Sequence, residues 1–348
     1  MPATTPATTT PAAPSAAHPA KRPRLLALSL GGTITMTATA GGGIAPTLGA
    51  ADLVAAVPGL GEVAAVEARS PFRLGSSSLT LANIAAVAAE IRVAFAEGFD
   101  AALVIQGTDT IEETAFALDL LVRDERPVVV IGAMRGPQQP GADGPANLLA
   151  GAIVAVSAAA RGMGTLVVLN DEIHAARFVR KAHTALTSAF VSANGGPLGL
   201  VAEGRARFFS RVAPLAVPVL LPEAGDLPPV ALVKIGMGDD GRLLPVLAGL
   251  GYAGAVIEGA GAGHVPGVMA EAVGELAAQM PVVLASRTLG GPVFERSYGY
   301  PGSEIDLIAR GALPAGLLPA LKARLLLVLA LKGGFSREDI AAALAAFG

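Results

Sequence analysis

Short apolar runs rich in β-branched residues recur along this chain, each followed by a small polar turn and then by a helical pattern. Leu25–Leu30, Ala101–Ile105, Pro127–Ile131 and Thr165–Leu169 are four such runs in the first half. Val230–Ile235, Ala255–Ile257 and Pro281–Leu284 repeat the pattern in the second. Runs this short and this uniformly apolar suit strands buried on both faces, and their alternation with helices predicts largely parallel sheets covered by helices. Between the two series, residues 211–229 hold five prolines and little periodicity, which reads as a linker. The expected organisation is a disordered tail over 1–22, rich in Pro, Ala and Thr, an α/β domain over 23–210, the linker, and a second α/β domain over 230–348.

Composition narrows the function. With 52% hydrophobic and 15% charged residues, 348 residues supply material for two cores. A net charge of −3 with scattered Lys and Arg offers no basic field, so a nucleic-acid partner is not expected. No apolar run approaches the roughly 18 residues that span a bilayer, so no membrane partner is expected either. Cysteine is absent, which excludes disulfides and a thiolate nucleophile. His18, His174, His183 and His264 show no ligand spacing, so neither a metal nor another cofactor is expected. Lys21, Arg22 and Arg24 precede only a short apolar run that continues into Gly-Gly-Thr, a strand and its turn rather than a secretion leader, and the protein reads as cytoplasmic.

The chemistry-bearing residues cluster where predicted strands end. Gly107-Thr108-Asp109 follows Ala101–Ile105, and Thr110 with Glu113 forms a potential capping box for a helix over Ile111–Leu121. In open α/β sheets, ligands bind at the carboxyl ends of strands. Gly31-Gly32-Thr33 ends the first strand in the same way, where Gly-Gly permits a sharp turn and close approach of backbone. The same residues also serve as plain turn and cap residues. Met36–Leu48, with three glycines and no apolar period, reads as a mobile loop and candidate lid. Ala50–Val57 reads as a helix and Glu62–Ala68 as a strand. One of Ser76, Ser77 and Ser78 is expected to cap a helix over Leu81–Glu97, with the earlier ones free to bind a carboxylate. Asp143-Gly144-Pro145 leads into a helix near Ala146–Ala159, and Gly259-Ala260-Gly261-Ala262-Gly263 reads as a tight turn, not a dinucleotide fingerprint. Leu317–Leu331 reads as an amphipathic helix, and Ser336 with Asp339 caps the last one.

Taken together, Gly31-Gly32-Thr33-Ile34, Gly107-Thr108-Asp109-Thr110, Gly132-Ala133-Met134-Arg135, the stretch Ala142–Leu148 and Lys181 resemble the bacterial L-asparaginase/glutaminase family. Ala285-Ser286-Arg287 and Lys322-Ala323-Arg324 extend the likeness, which runs from about Leu25 to the C-terminus. The resemblance implies a larger N-terminal and a smaller C-terminal α/β domain. It also implies a homotetramer of intimate dimers, with each site completed by a neighbour. The implied reaction is hydrolysis of the asparagine side-chain amide to aspartate and ammonia. Thr33 matches the nucleophile, Thr108 and Lys181 the second catalytic threonine and its lysine, and Asp109 the aspartate that takes the substrate α-ammonium. Ser76 matches the serine that holds the α-carboxylate, and Ser77 stands beside it where many members carry glutamine. Backbone N–H groups near Thr108 and Ala133 are candidates for the oxyanion site. A lysine beside an aspartate either stays charged and polarises Thr108 or loses its proton and acts as base.

Met36–Leu48 contains no tyrosine, whereas well-studied members carry one in the lid, and the neighbour-supplied glutamate has no clear match. Within Gly291–Ser303, which offers Glu295, Tyr298 and Tyr300, a tyrosine from a neighbouring subunit is the expected replacement. The leading expectation is an asparaginase. The alternatives are a broader glutaminase-asparaginase and a non-catalytic aspartate or asparagine sensor on the same scaffold.

Overall fold

The computed structural model describes residues 22–38, 44–46, 48–215, 217 and 225–348, with backbone alone at 33, 36–38 and 44–46. The tail reading, apart from Arg22, lies outside the described residues, as do 216 and 218–224 of the linker and 39–43 and 47 of the candidate lid. The ends of that candidate lid form a ribbon of two short strands, Met36–Ala38 and Ile44–Pro46, paired antiparallel.

The larger sheet has eight strands in the order Arg205–Phe208, Gly199–Ala202, Glu172–Ala175, Thr165–Leu169, Val128–Ile131, Ala101–Ile105, Arg24–Ser29, Ala65–Arg69. The five from Thr165–Leu169 to Ala65–Arg69 run parallel, and the remaining three add an antiparallel edge. Successive residues of a strand face opposite sides. Leu26, Leu28, Val104 and Val130 therefore pack under the helices Leu81–Ala96 and Ile111–Leu121. Leu25, Leu103, Ile105 and Ile131 pack on the other side under Ala50–Ala55 and Gly144–Ala155. Each such side chain, buried from water, stabilises the fold by about 1.5–3 kcal/mol before entropy is counted.

This two-sided packing creates the site. Arg24–Ser29 and Ala101–Ile105 are neighbours in the sheet, in register from Leu25 opposite Ala101 to Ser29 opposite Ile105. The helix after the first packs on one face and the helix after the second on the other. The chain beyond their carboxyl-end turns thus leaves toward opposite faces of the sheet, and at such a switch point open α/β sheets bind ligands.

The smaller sheet is all parallel, in the order Val230–Lys234, Gly254–Gly259, Val282–Ser286, Leu313–Pro314. Gly259–Gly263 is a tight turn, closed by bridging of Ala260 to His264, with Gly261 and Gly263 at positive φ. The chain is thus a two-domain α/β protein with mainly parallel sheets and a larger N-terminal domain.

Four local expectations change. The Leu317–Leu331 pattern is the helix Ala320–Lys332, and it is not a surface amphipathic helix. It lies between the smaller sheet and the Ile111–Leu121 helix, burying residues on nearly every side, Lys322 among them. Residues Leu60–Val63 form a helical turn, and the strand begins only at Ala65. Thr80, not a serine, caps Leu81–Ala96: its Oγ1 accepts from Asn83 N at 3.2 Å while Asn83 Oδ1 accepts from Thr80 N at 2.9 Å. The Thr110–Glu113 capping box does not form. The final helix, Arg337–Ala345, does carry its Ser336–Asp339 box.

Candidate active site

Gly31 and Gly32 hold φ angles of +108° and +88°, a region that strongly favours glycine. A Cβ on Gly31 would collide with the Leu74 backbone, and one on Gly32 with the Gly107 backbone. The two glycines therefore let the turn after the first strand lie directly against the turn after Ala101–Ile105. Thr33 heads the helical turn Thr33–Thr35; its side chain lies outside the described residues. Thr35, fully buried, locks that turn by donating both its N–H and its hydroxyl to Gly32 O, at 2.9 and 2.7 Å.

A third turn, Ser76–Ser78, docks on the second, Thr108–Thr110. Thr110 Oγ1 donates to Ser76 O at 3.0 Å, and Asp109 N donates to Ser76 Oγ at 3.3 Å. Ser76 is buried and Ser77 exposed. The Thr110 hydroxyl is thus committed to another turn, which is why it does not cap its own helix. Gln106, wholly buried beneath, donates to Gly107 O and Thr110 Oγ1 at 3.2 and 3.3 Å.

Lys181 reaches this cluster from the short strand Arg180–Lys181. Its Nζ donates to Thr108 Oγ1 at 2.8 Å and to Asp109 Oδ1 at 2.7 Å. Thr108 is buried, whereas the Asp109 side chain is 67% exposed, so its carboxylate can meet a second cation from the solvent side. The loop carrying Ala133 lies against the Thr108 turn, where a Cβ on Gly132 would meet Gln106 O and Thr108 Cγ2. Asp143 accepts from Met134 N and Arg135 N at 3.0 and 2.8 Å. Asn147 donates to Gly132 O at 3.0 Å and to Asp143 Oδ2 at 3.1 Å, and its own carbonyl oxygen accepts from Asn170 N at 2.9 Å. Ala133 itself is buried.

The structure thus unites Thr108, Asp109, Lys181 and Ser76 through hydrogen bonds, and brings the backbone before Thr33 against them. Tyr298 and Tyr300 stand apart, exposed on the smaller domain. Tyr300 Oη lies 3.0 Å from His264 Nδ1, and His264 Nε2 lies 3.0 Å from Glu304 Oε2. Glu304 is fully buried. Burial would raise its pKa, but backbone N–H groups of Tyr298 and Ser297, at 2.7 and 2.8 Å, hold it below the usual carboxylate range. Among the described residues, no three His, Asp or Glu side chains gather to hold a metal ion.

Sequence reasoning missed Thr35, Glu112, Lys322 and Glu304. Thr35 directly follows the Gly31–Ile34 motif and was legible as a turn-locking hydroxyl; Lys322 stood in the quoted Lys322-Ala323-Arg324 stretch without a role, and like Glu112 and Glu304 it is a charge whose burial no local pattern announces.

Comparison with known proteins gives consistent matches. Residues 24–214 match the family model described as Asparaginase, N-terminal, and residues 229–344 match that of the Glutaminase/Asparaginase C-terminal domain. A probable L-asparaginase of Deinococcus radiodurans is 38% identical over 92% of this chain and 97% of its own. An L-asparaginase of Bacillus licheniformis is 32% identical over 87% and 94%. The crystal structure of a probable cytoplasmic L-asparaginase from Campylobacter jejuni superposes with a TM-score of 0.82 at 31% identity, covering 93% of this chain and 99% of that one.

Proposed function

This chain belongs to the asparaginase family, and on that premise we propose that it is an L-asparaginase releasing ammonia from the asparagine side chain. The observation that carries the reading is Lys181 Nζ donating at once to Thr108 Oγ1 and Asp109 Oδ1. A hydroxyl is a weak nucleophile and amide nitrogen a poor leaving group, so the site must move protons and steady an oxyanion.

In the proposed course, the Thr33 hydroxyl oxygen bonds to the side-chain amide carbon and loses its proton. The carbonyl becomes an oxyanion, met by backbone N–H groups of the Thr108 and Ala133 turns. The C–N bond breaks as the nitrogen takes up a proton and leaves as ammonia, giving an ester on Thr33. Water then adds to that ester and releases aspartate. Lys181 holds Thr108 Oγ1 so that the hydroxyl can relay these protons. Asp109 presents its exposed carboxylate to the α-ammonium, and Ser76, with Ser77 beside it, the α-carboxylate.

The "Glutaminase/Asparaginase" description of the C-terminal match favours a second reading in which glutamine is also turned over. One methylene in the pocket separates the substrates by only about 1–3 kcal/mol. The finer organisation is proposed with the reaction: domains over 23–210 and 230–348 joined by 211–229, a homotetramer of intimate dimers, a tyrosine of Tyr298 and Tyr300 entering a neighbour's site, and a cytoplasmic location. The two family matches, which part between 214 and 229, support the division. The naming of the Campylobacter jejuni relative supports the compartment.

Ammonia release from L-asparagine and L-glutamine, for the wild type, Thr33→Ala and Thr108→Ala, tests the reading. Turnover abolished by Thr33→Ala is the expected result. No release from either amide, with aspartate still bound, would make the protein a sensor and overturn it.

A further inference from the structure

The Arg180–Lys181 strand is only two residues long, too short to fix a catalytic side chain by ladder bonds alone. Two buried charges from different parts of the fold hold it. Lys322, on the smaller domain's Ala320–Lys332 helix and 1% exposed, donates Nζ to Ala176 O and Val179 O at 2.7 and 2.6 Å. Those carbonyls belong to the turn just before Lys181, in which Phe178 N and Val179 N both donate to Ala175 O. Glu112 is the second residue of the Ile111–Leu121 helix, which starts directly after the Thr108–Thr110 turn. Its Oε2 accepts from Lys181 N at 3.2 Å.

We infer that Lys322 and Glu112 are positioning residues that hold Lys181 at hydrogen-bond distance from Thr108, so that the smaller domain of the same chain helps to set the geometry of catalysis. Glu112 ties the Lys181 backbone to the helix that begins beside Thr108. Lys322 ties the preceding turn to the smaller domain. Lys181 Nζ is thereby aimed at Thr108 Oγ1 from a backbone anchored on both sides.

The expense of the arrangement argues for a role beyond stability. Taking an ammonium and a carboxylate out of water is costly, and apolar residues of the same volume would often stabilise a domain junction as well or better. The cost shows in both groups: burial pushes Lys322 down to about 7 against the attraction of Glu112, and burial pushes Glu112 up against the attraction of Lys322. Neither side chain is hydrogen-bonded to Thr108 or Asp109, so both act through Lys181.

The inference rests on the reading of Lys181 as catalytic, and the test separates the two. Kinetics with L-asparagine are measured for Lys181→Met, Lys322→Met, Glu112→Leu and Glu112→Gln, each with its thermal midpoint and at a temperature where it is folded. Misplacing a catalytic group by about 1 Å costs up to about a hundredfold in rate. Glu112→Leu and Lys322→Met are therefore expected to lower kcat at least about tenfold with KM within about twofold. Glu112→Gln, whose carbonyl still accepts from Lys181 N, is expected to recover most of that loss. Should Lys322→Met not fold, the Glu112 pair alone decides. If Lys181→Met abolishes turnover while Glu112→Leu keeps full kcat, or Gln rescues nothing, the positioning role is overturned and the catalytic reading stands. If Lys181→Met itself turns over normally, both fall.

Discussion

Gly32 and Gly107 pack backbone to backbone, so closely that a β-carbon on Gly32 would overlap the Gly107 main chain. This contact brings the Thr33 turn and the Thr108 turn together at the junction of two neighbouring parallel strands. Gly32→Ala must either strain a φ of +88° or push the turns apart. The strain alone costs about 1–3 kcal/mol. Activity is expected to fall much further than stability, because separation of the turns undoes the site directly. Asparagine turnover alongside the thermal midpoint checks this, and a Gly32→Ala protein with wild-type kcat would show that the close approach is not needed.

Asp109 offers a second test, because its two roles separate kinetically. Its Oδ1 is held by Lys181, yet the side chain is mostly open to solvent. Asp109→Asn keeps the shape and an acceptor while removing the charge that would meet the substrate's α-ammonium. A hydrogen bond to a charged group is worth about 1.5–3 kcal/mol, so kcat/KM should fall by about ten- to a hundredfold, mostly through KM. An analogue of asparagine lacking the α-amino group should lose little further between wild type and variant. An equal loss with that analogue would remove Asp109 from ammonium recognition.

The parts of this site that were legible in the sequence share a cause. Thr33, Thr108 and Asp109 stand at glycine-containing turns right after short apolar runs, so strand ends and turns could be read from local chemistry. Lys181 entered only through the family resemblance, since nothing local separates it from a surface lysine. Local reasoning failed where a distant contact competed. Thr110 and Glu113 have capping-box spacing, but the Thr110 hydroxyl goes to Ser76 O, 34 residues away. Lys322 shares its helix stripe with Leu325, Leu326 and Leu329, and it is the docking of the two domains, at Ala176 O and Val179 O, that buries the lysine itself. A single sequence carries no mark of that docking.

The tyrosine proposal makes a prediction about the smaller domain. Tyr300 is tethered to His264, and His264 to the buried Glu304, so the ring is held in place although half exposed. If a neighbour's tyrosine helps to deprotonate Thr33, Tyr300→Phe or Tyr298→Phe should lower kcat by about a hundredfold or more, as loss of a general base does. Full kcat in both variants would end the proposal.

His174 supplies a prediction about pH. It is 1% exposed, with Nδ1 3.0 Å from Ser192 Oγ, and burial pushes its pKa down from 6.5 to about 4. Glu172 lies 3.5 Å from Nε2 without a hydrogen bond to it and half exposed, so burial prevails. Folded His174 is therefore neutral over a range in which the unfolded chain binds a proton. Where the unfolded state binds more protons, stability rises with pH. The contribution is complete above the unfolded value near 6.5 and is lost as pH falls towards 4. That interval corresponds to a loss of about 3 kcal/mol at one pKa unit per 1.36 kcal/mol. Thermal midpoints measured from pH 7 to pH 4 should decline more steeply in the wild type than in His174→Gln, which cannot take up the proton. Parallel declines would mean that other groups carry the acid sensitivity.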